Sequence, residues 1–310
     1  VGYQEVRAVR PPLRGWIVVL ASLIGAVERL PVPDVILRAG IWLLVARTRA
    51  RMASVPRGAD AWFAEAMRGY PIATHVEDAN AQHYEVPARF FEIVLGPRLK
   101  YSSGFYRDLA TTLEQAEVAA LGETVAHAGL EDGQRILELG CGWGSLSLHI
   151  ATTFPGSRVT AVSNSRSQRE HVEAQARRLG LPNLRVITAD MNDFDAGRQF
   201  DRVISVEMFE HMANWPALLD RIRSWLRPDG RLFLHVFSHK SAPYRFDHGD
   251  DADWIARHFF TGGIMPSHGL IRHFDFSFAV EREWRWDGAH YQRTALDWLA
   301  NYDRHAVPIY

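Results

Sequence analysis

Glu207, Glu210 and His211 place two carboxylates and an imidazole directly after an apolar run, Val203–Val206. At helical spacing the two carboxylates share a face, with the imidazole one turn on from Glu207. Such a set can take up and release protons, or hold a cation against a pocket. A third acid, Glu138, opens the run Glu138-Leu-Gly-Cys-Gly-Trp-Gly144, in which an apolar strand enters a glycine-rich turn and a helix begins.

That turn discriminates between ligands. A dinucleotide loop reads G-x-G-x-x-G and sets its pyrophosphate on the helix N-terminus. Here Gly140, Gly142 and Gly144 bring the third glycine one residue early, and Glu138 adds an anion that repels a pyrophosphate. The same anion suits a cation. S-adenosylmethionine, with its ammonium and sulfonium, is therefore the expected ligand in preference to a nicotinamide cofactor. The second strand ends in Ser163-Asn164-Ser165, without the acid that would hold a ribose, so that task passes to Asn164 or Gln168.

The elements that must position these residues are a strand–helix alternation beginning at Gly133. Strands are predicted at 134–139, 158–162, 184–188, 201–206 and 231–237, with helices at 143–153, 167–179 and 215–226. Two more strands are predicted around 274–286. This is the pattern of an α/β, Rossmann-like, doubly wound, mostly parallel seven-stranded sheet, in which ligands sit beyond the carboxyl ends of the strands. Residues 238–273 are too long for a connection and are read as an insertion covering the substrate. The division expected is a basic, apolar helical segment over 1–70 and a catalytic domain over 71–310.

Composition bounds the partners. The chain has 310 residues, 47% hydrophobic, with a net charge of −1, which argues against a nucleic-acid binder. Cys141 is the one cysteine, so an intrachain disulfide is excluded and a reducing, cytoplasmic setting is expected. No histidine and thiolate pattern suggests a metal. The first 58 residues carry nine arginines against Glu5, Glu28 and Asp34. They hold two apolar stretches, 15–27 and 35–46, separated by Pro31 and Pro33 and each too short to span a bilayer. One reading is a helical hairpin buried on the main domain. The other is a peripheral helix pair at the inner membrane face, with Arg47, Arg49, Arg51 and Arg57 near anionic headgroups. The chain opens on Val1 rather than Met, as expected of a processed or partial chain.

Several ordered motifs carry a resemblance. They are His83-Tyr-Glu-Val-Pro87, Lys100-Tyr-Ser-Ser-Gly104, the Glu138–Gly144 loop, Ser163-Asn-Ser165, Ala189-Asp190, Glu207-Met-Phe-Glu-His-Met212, Ser238-His-Lys240, Phe260–Ser267 and Gly288-Ala-His-Tyr-Gln-Arg-Thr294. Together they resemble the cyclopropane fatty acid synthase family of methyltransferases, and within it the coclaurine N-methyltransferase-like enzymes. The resemblance implies that Tyr101 and Ser102 belong to a lid over the cofactor, that Asn164 and Gln168 lie near the adenosine, and that Asp190 and Met191 bracket the adenine. It implies roles for Glu210 and His211 toward an amine. It also implies a bicarbonate site of the cyclopropane-forming type at Glu210, His235 and Tyr291, with Ser103 where that family has cysteine. Two acceptors follow: a hydrophobic small-molecule amine, or an unsaturated lipid acyl chain with bicarbonate as base. Trp254, Phe259, Phe260, Trp284 and Trp286 are candidates for an apolar acceptor pocket, and the acidic run 247–253 is read as a solvated loop. Ser205-Val-Glu-Met208 lacks the Asp/Asn-Pro-Pro-aromatic motif expected of a nucleic-acid amine methyltransferase.

Overall fold

The computed structural model describes residues 32–56, 58–74, 87–246 and 254–305. Five parallel strands form one sheet: β1 (Arg135–Leu139), β2 (Arg158–Ser163), β3 (Leu184–Thr188), β4 (Phe200–Val206) and β5 (Leu226–His235), in the order β3-β2-β1-β4-β5. The chain builds outward from β1 to β3, then returns to β1's other side with β4. The resulting switch point lies above the carboxyl ends of β1 and β4, where open α/β sheets bind ligands.

Strand β1 reads Arg-Ile-Leu-Glu-Leu and is buried after its first residue, as a strand covered on both faces must be. Leu137 and Leu139 face a core that holds Trp215, Leu218 and Ile222 of α7 (Trp215–Trp225). Ile136 faces a second core with Leu121 of α4 (Leu113–Ala128) and Ile150 of α5 (Ser145–Thr153). Local signals set the helix starts. Thr112 and Gln115 form a capping box on α4, Ser165 caps α6 (Arg166–Leu179), and Asn214 accepts the Ala217 N–H at the start of α7. The first core also takes Phe63 and Met67 of α2 (Ala59–Met67). The helices α3 (Ala88–Val94) and α9 (Gly288–Arg304) pack together beside the sheet's ligand end. Within residues 238–273, β6 (Tyr244–Arg245) pairs antiparallel with β7 (Ile264–Met265), and α8 (Trp254–His258) lies between them.

Three expectations are corrected. The described residues carry five strands in the main sheet, not seven, and 275–287 runs without ladder pairing. Its alternation is used in side-chain contacts along β5 instead: Arg231 pairs with Glu281 at 2.9 Å, and the His235 ring meets Trp286 edge-on at 4.7 Å. Strand β5 starts earlier than its apolar pattern, with a register shift that leaves 227–230 outside the ladder. It ends at His235 because the Phe237 N–H turns to the Glu210 carboxylate at 2.7 Å. Finally, α1 (Asp34–Ala53) buries Met52 alone, while Trp42 is 71% exposed and Ile41, Leu43 and Val45 are also exposed. This arm of the expected hairpin is not buried on the main domain. The other apolar stretch, 15–27, lies outside the described residues. No helix among the described residues is long and apolar enough to cross a membrane.

Candidate active site

A cavity of about 520 Å³ opens above the carboxyl ends of the strands. Of the residues expected at the cofactor, Tyr101, Ser102, Glu138, Gly140 and Gly142 line it, as do Asn164, Gln168, Asp190 and Met191. Gly144 does not. It is the turn before α5, with φ +83°, and a side chain there would strike the buried Val172 of α6, so its role is packing. Glu207, His211 and Tyr291 also line the cavity, whereas Glu210 and His235 lie behind its wall.

The cofactor half is built on β1 and β2. The N–H groups of Gly140 and Cys141 both donate to the Val162 carbonyl at 2.9 Å, which ties the glycine turn to the end of β2. Glu138 shares the face of Ile136, 3% exposed, and the Ser147 hydroxyl from the first turn of α5 donates to it. Burial pushes its carboxyl up to about 7. A ligand ammonium would reverse that shift by favouring the charged form. Gln168 is fixed through its Oε1, which accepts from the Ser163 hydroxyl at 2.7 Å, while its buried Nε2 has no partner. An orphaned donor on a cavity wall is the feature a ribose hydroxyl would satisfy. Asp190 accepts the Asn192 N–H through one carboxylate oxygen, making it a turn residue as well as a wall residue. An ionisable acid for an ammonium and a free amide donor for a ribose fit S-adenosylmethionine. Bound there, it supplies a methyl group activated by its sulfonium.

The other half is where Glu207, Glu210 and His211 diverge. Glu207 is not on a helix: its φ is +50°, a left-handed conformation rare for a side chain, and a short 3-10 turn, Phe209–His211, follows. Its N–H donates to the His235 carbonyl at 2.8 Å, and its carboxylate accepts the Ser103 N–H at 3.0 Å. Tyr291 interacts with the same carboxylate, its hydroxyl helping to keep the carboxyl from rising further. Burial raises the Glu207 carboxyl above its ordinary value, and the Lys100 ammonium opposes that rise. Glu210 is completely buried; one oxygen accepts the Phe237 N–H, and Oε2 has no partner. Burial, reinforced by the charge of Glu207, holds the Glu210 carboxyl well above the carboxylate range. The two acids are therefore unequal, Glu207 suited to carry charge and Glu210 to stay neutral. The His211 ring stacks on Phe260, centroids 4.4 Å apart. The Trp215 indole N–H clamps the turn by donating to the Phe209 carbonyl at 2.8 Å. Burial, with Lys100 adding to it, lowers His235 to about 3, so it is neutral at physiological pH.

Lys100 is the functional candidate that the sequence reading passes over. It is buried, with Nζ donating to Ser102 Oγ at 2.5 Å and to the Ser103 carbonyl at 2.7 Å, and burial lowers its ammonium to about 8. Its one signal was its place inside the Lys100–Gly104 motif, two and three residues before the Ser102 and Ser103 that take its hydrogen bonds. Among the aromatic candidates, Phe259 and Phe260 line the cavity. Trp254 is partly exposed, Trp284 stacks on His127 at 4.1 Å, and Trp286 packs on Phe105 and His235. The run 247–253 lies outside the described residues.

Comparison with known proteins bears out the resemblance. (S)-coclaurine N-methyltransferase from Thalictrum flavum subsp. glaucum is 38% identical over 239 residues, covering 76% of this chain and 66% of that protein. The chain thus spans just under two thirds of that relative's length. A solved structure of coclaurine N-methyltransferase bound to N-methylheliamine and S-adenosylhomocysteine is 34% identical, with a TM-score of 0.84, over 94% of this chain and 84% of that one. Cyclopropane-fatty-acyl-phospholipid synthase from Escherichia coli (strain K12) is 30% identical, over 71% of this chain and 55% of that protein. The model of the mycolic acid cyclopropane synthetase family matches residues 73–309. Over residues 73–309, which include the whole sheet and every residue named in the site, the chain belongs to that family.

Proposed function

We propose that this chain is an S-adenosylmethionine-dependent N-methyltransferase acting on a hydrophobic small-molecule amine. The observation that carries the reading is one cavity lined both by buried Glu138 with its glycine turn and by Glu207 with His211. Glu138 takes the ammonium of the methyl donor, and Gln168, Asn164 and Asp190 take its adenosine. Glu207 and His211 face the acceptor; Glu210, behind them, positions the turn that carries His211 through its bond to the Phe237 N–H. Phe237, Phe259 and Phe260 give the acceptor side an apolar, aromatic surface that excludes water and suits a ring-bearing amine. Residues 238–273, which supply two of those rings, cover the substrate. The identity to coclaurine N-methyltransferases supports an alkaloid-type amine.

The experiment uses purified chain and methyl-labelled S-adenosylmethionine, offered hydrophobic secondary and tertiary amines in one series and vesicles of unsaturated phospholipid in another. Label in the amines, lost on His211→Ala, is the expected result; label confined to lipid overturns it. The exposed apolar helix α1, with Arg38, Arg47, Arg49 and Arg51, is the observation that favours a lipid surface. In this reading α1 rests peripherally on anionic lipid and the acceptor is still an amine.

A further inference from the structure

Lys100 is the centre of a stack of charges that crosses three parts of the fold. Glu117 of α4, 1% exposed, accepts the backbone N–H groups of Arg98 at 2.9 Å and Lys100 at 3.3 Å. The Lys100 ammonium comes next and donates to the Ser102 hydroxyl and the Ser103 carbonyl. Ser103 in turn gives its N–H to the Glu207 carboxylate on the cavity wall. The chain is bent to allow this. Leu99 is held left-handed at φ +51°, and a side chain at Gly96 would strike the Glu117 carboxylate. Buried charges often fail to offset their own desolvation, and apolar side chains would fill the same space at least as stably. Strain and burial together therefore point to a use for the charge. It acts on Glu117, on His235 at the end of β5, and on Glu207, where it opposes the rise that burial imposes. Around Glu207 stand also Tyr291 of α9, with Tyr101 beside it, and Glu210 and His211 on the turn that follows.

We propose that Lys100 is a positioning residue of the methyl transfer, holding the Ser103 N–H against the Glu207 carboxylate and supplying the positive charge that keeps this carboxylate ionised beside the acceptor. The inference rests on the amine-methylating reading. Lys100 acts through Ser103 and Glu207, not on the reacting atoms. Burial lowers its own ammonium to about 8, so it still carries its charge at pH 7. Without that charge the Glu207 carboxyl rises, and a higher pH is needed to ionise it. On the acid side, each unit of rise removes about tenfold of the ionised fraction at a fixed pH. At high pH the deficit disappears.

Two variants separate the charge from the packing. Lys100→Gln keeps a donor for Ser102 and Ser103 and removes the charge; Lys100→Met removes both. Melting temperature and S-adenosylhomocysteine binding verify that each variant folds. With saturating amine, the acid limb of the kcat profile moves up by about one pH unit or more in both, and the rate lost near neutrality returns as pH rises. Once Glu207→Gln has removed the acid, adding Lys100→Gln costs little further. Independently of activity, carbon-13 carboxyl NMR of the ligand-free protein follows Glu207, identified by its loss in Glu207→Gln, and its titration midpoint rises in Lys100→Gln. An unchanged midpoint overturns the proposal, as does a rate loss that persists at every pH or a double variant in which the two losses multiply. A variant that loses rate only in step with S-adenosylhomocysteine affinity also overturns it, by assigning Lys100 to the cofactor. If the wild type methylates no amine, the functional reading fails by itself, and the carboxyl titration still decides whether Lys100 governs Glu207.

Discussion

Gly142 and Gly144 stand in one turn, both with positive φ, yet alanine should fail at the two positions in different ways. A Cβ at Gly144 would lie 2.6 and 2.9 Å from the methyls of Val172 and 3.3 Å from its Cβ. Val172 is fully buried on α6, and its branch at Cβ leaves it little freedom to swing aside. The left-handed backbone costs an alanine about 1–2 kcal/mol, and overpacking a buried site adds about 1–3 kcal/mol. Gly144→Ala should therefore lose about 2–5 kcal/mol of folding stability. At Gly142 the φ is +51° and nothing stands within 4 Å, so only the backbone term of about 1–2 kcal/mol applies. But Gly142 is on the cavity wall, and its methyl would occupy space the ligand needs. A misfit of about 1.4 kcal/mol or more there weakens S-adenosylhomocysteine tenfold or more. Urea unfolding and titration calorimetry with S-adenosylhomocysteine read the two effects separately. If Gly144→Ala kept its stability but lost the ligand, or Gly142→Ala were the less stable of the pair, the division of roles within this turn would be refuted.

Glu138 predicts two pH dependences of opposite sign. Its carboxyl is raised to about 7 in the ligand-free fold from 4.5, so its contribution to stability is fully present below pH 4.5 and is lost as pH rises toward 7, by up to about 3 kcal/mol. Ligand binding needs the ionised form, so S-adenosylhomocysteine affinity should fall about tenfold per unit below pH 7; Glu138→Gln should flatten both curves, and two unchanged curves would remove Glu138 from the ammonium site. Trp215→Phe deletes the buried indole bond to the Phe209 carbonyl, at a cost of about 1–3 kcal/mol. Its methylation rate should drop while S-adenosylhomocysteine affinity holds, since the turn it clamps carries His211 and no cofactor contact; equal loss of both would mean a global effect. The full chain should sediment with anionic vesicles and weakly with zwitterionic ones. Trp42→Glu combined with Leu43→Glu should abolish this without lowering the melting temperature, because α1 buries only Met52; sedimentation that survives the change would assign the contact elsewhere.

The parallel sheet was legible because a strand covered on both faces must be apolar along its length, and β1 to β4 are bounded by turn residues. The segment 274–286 misled for a physical reason. Phe-Asp-Phe-Ser-Phe and Glu-Arg-Glu-Trp-Arg-Trp alternate as a strand does, but alternation records only that one side of an extended chain is dry. In the second run that side is provided by side chains of β5, Phe233 against Trp284 and His235 against Trp286, whereas the first run is not extended: Phe274 closes a 3-10 turn and packs on Trp215. Apolar content was equally ambiguous in α1, where length excluded a bilayer span and could not tell a buried helix from an exposed one. In the glycine turn the ligand class followed from Glu138, but only the fold showed that Gly144 serves Val172.

The acids show most clearly where reading stops. Spacing put Glu207 and Glu210 on one helical face, and that geometry fails at the backbone of Glu207, whose positive φ no residue type announces. Their protonation states are set from farther away still. Ser103, which donates to Glu207, is 104 positions earlier in the chain, and Tyr291 arrives on the last helix. Phe237, whose N–H donates to Glu210, stands 27 positions later and is free to do so because β5 ends two residues before it, at His235. Two glutamates with the same intrinsic acidity therefore take different states: one has donors and a cation, the other one donor and a buried, unpartnered oxygen. Chemistry of this kind depends on which distant backbone groups are left to be satisfied, and those are fixed only when the sheet closes and α9 lies down across its end.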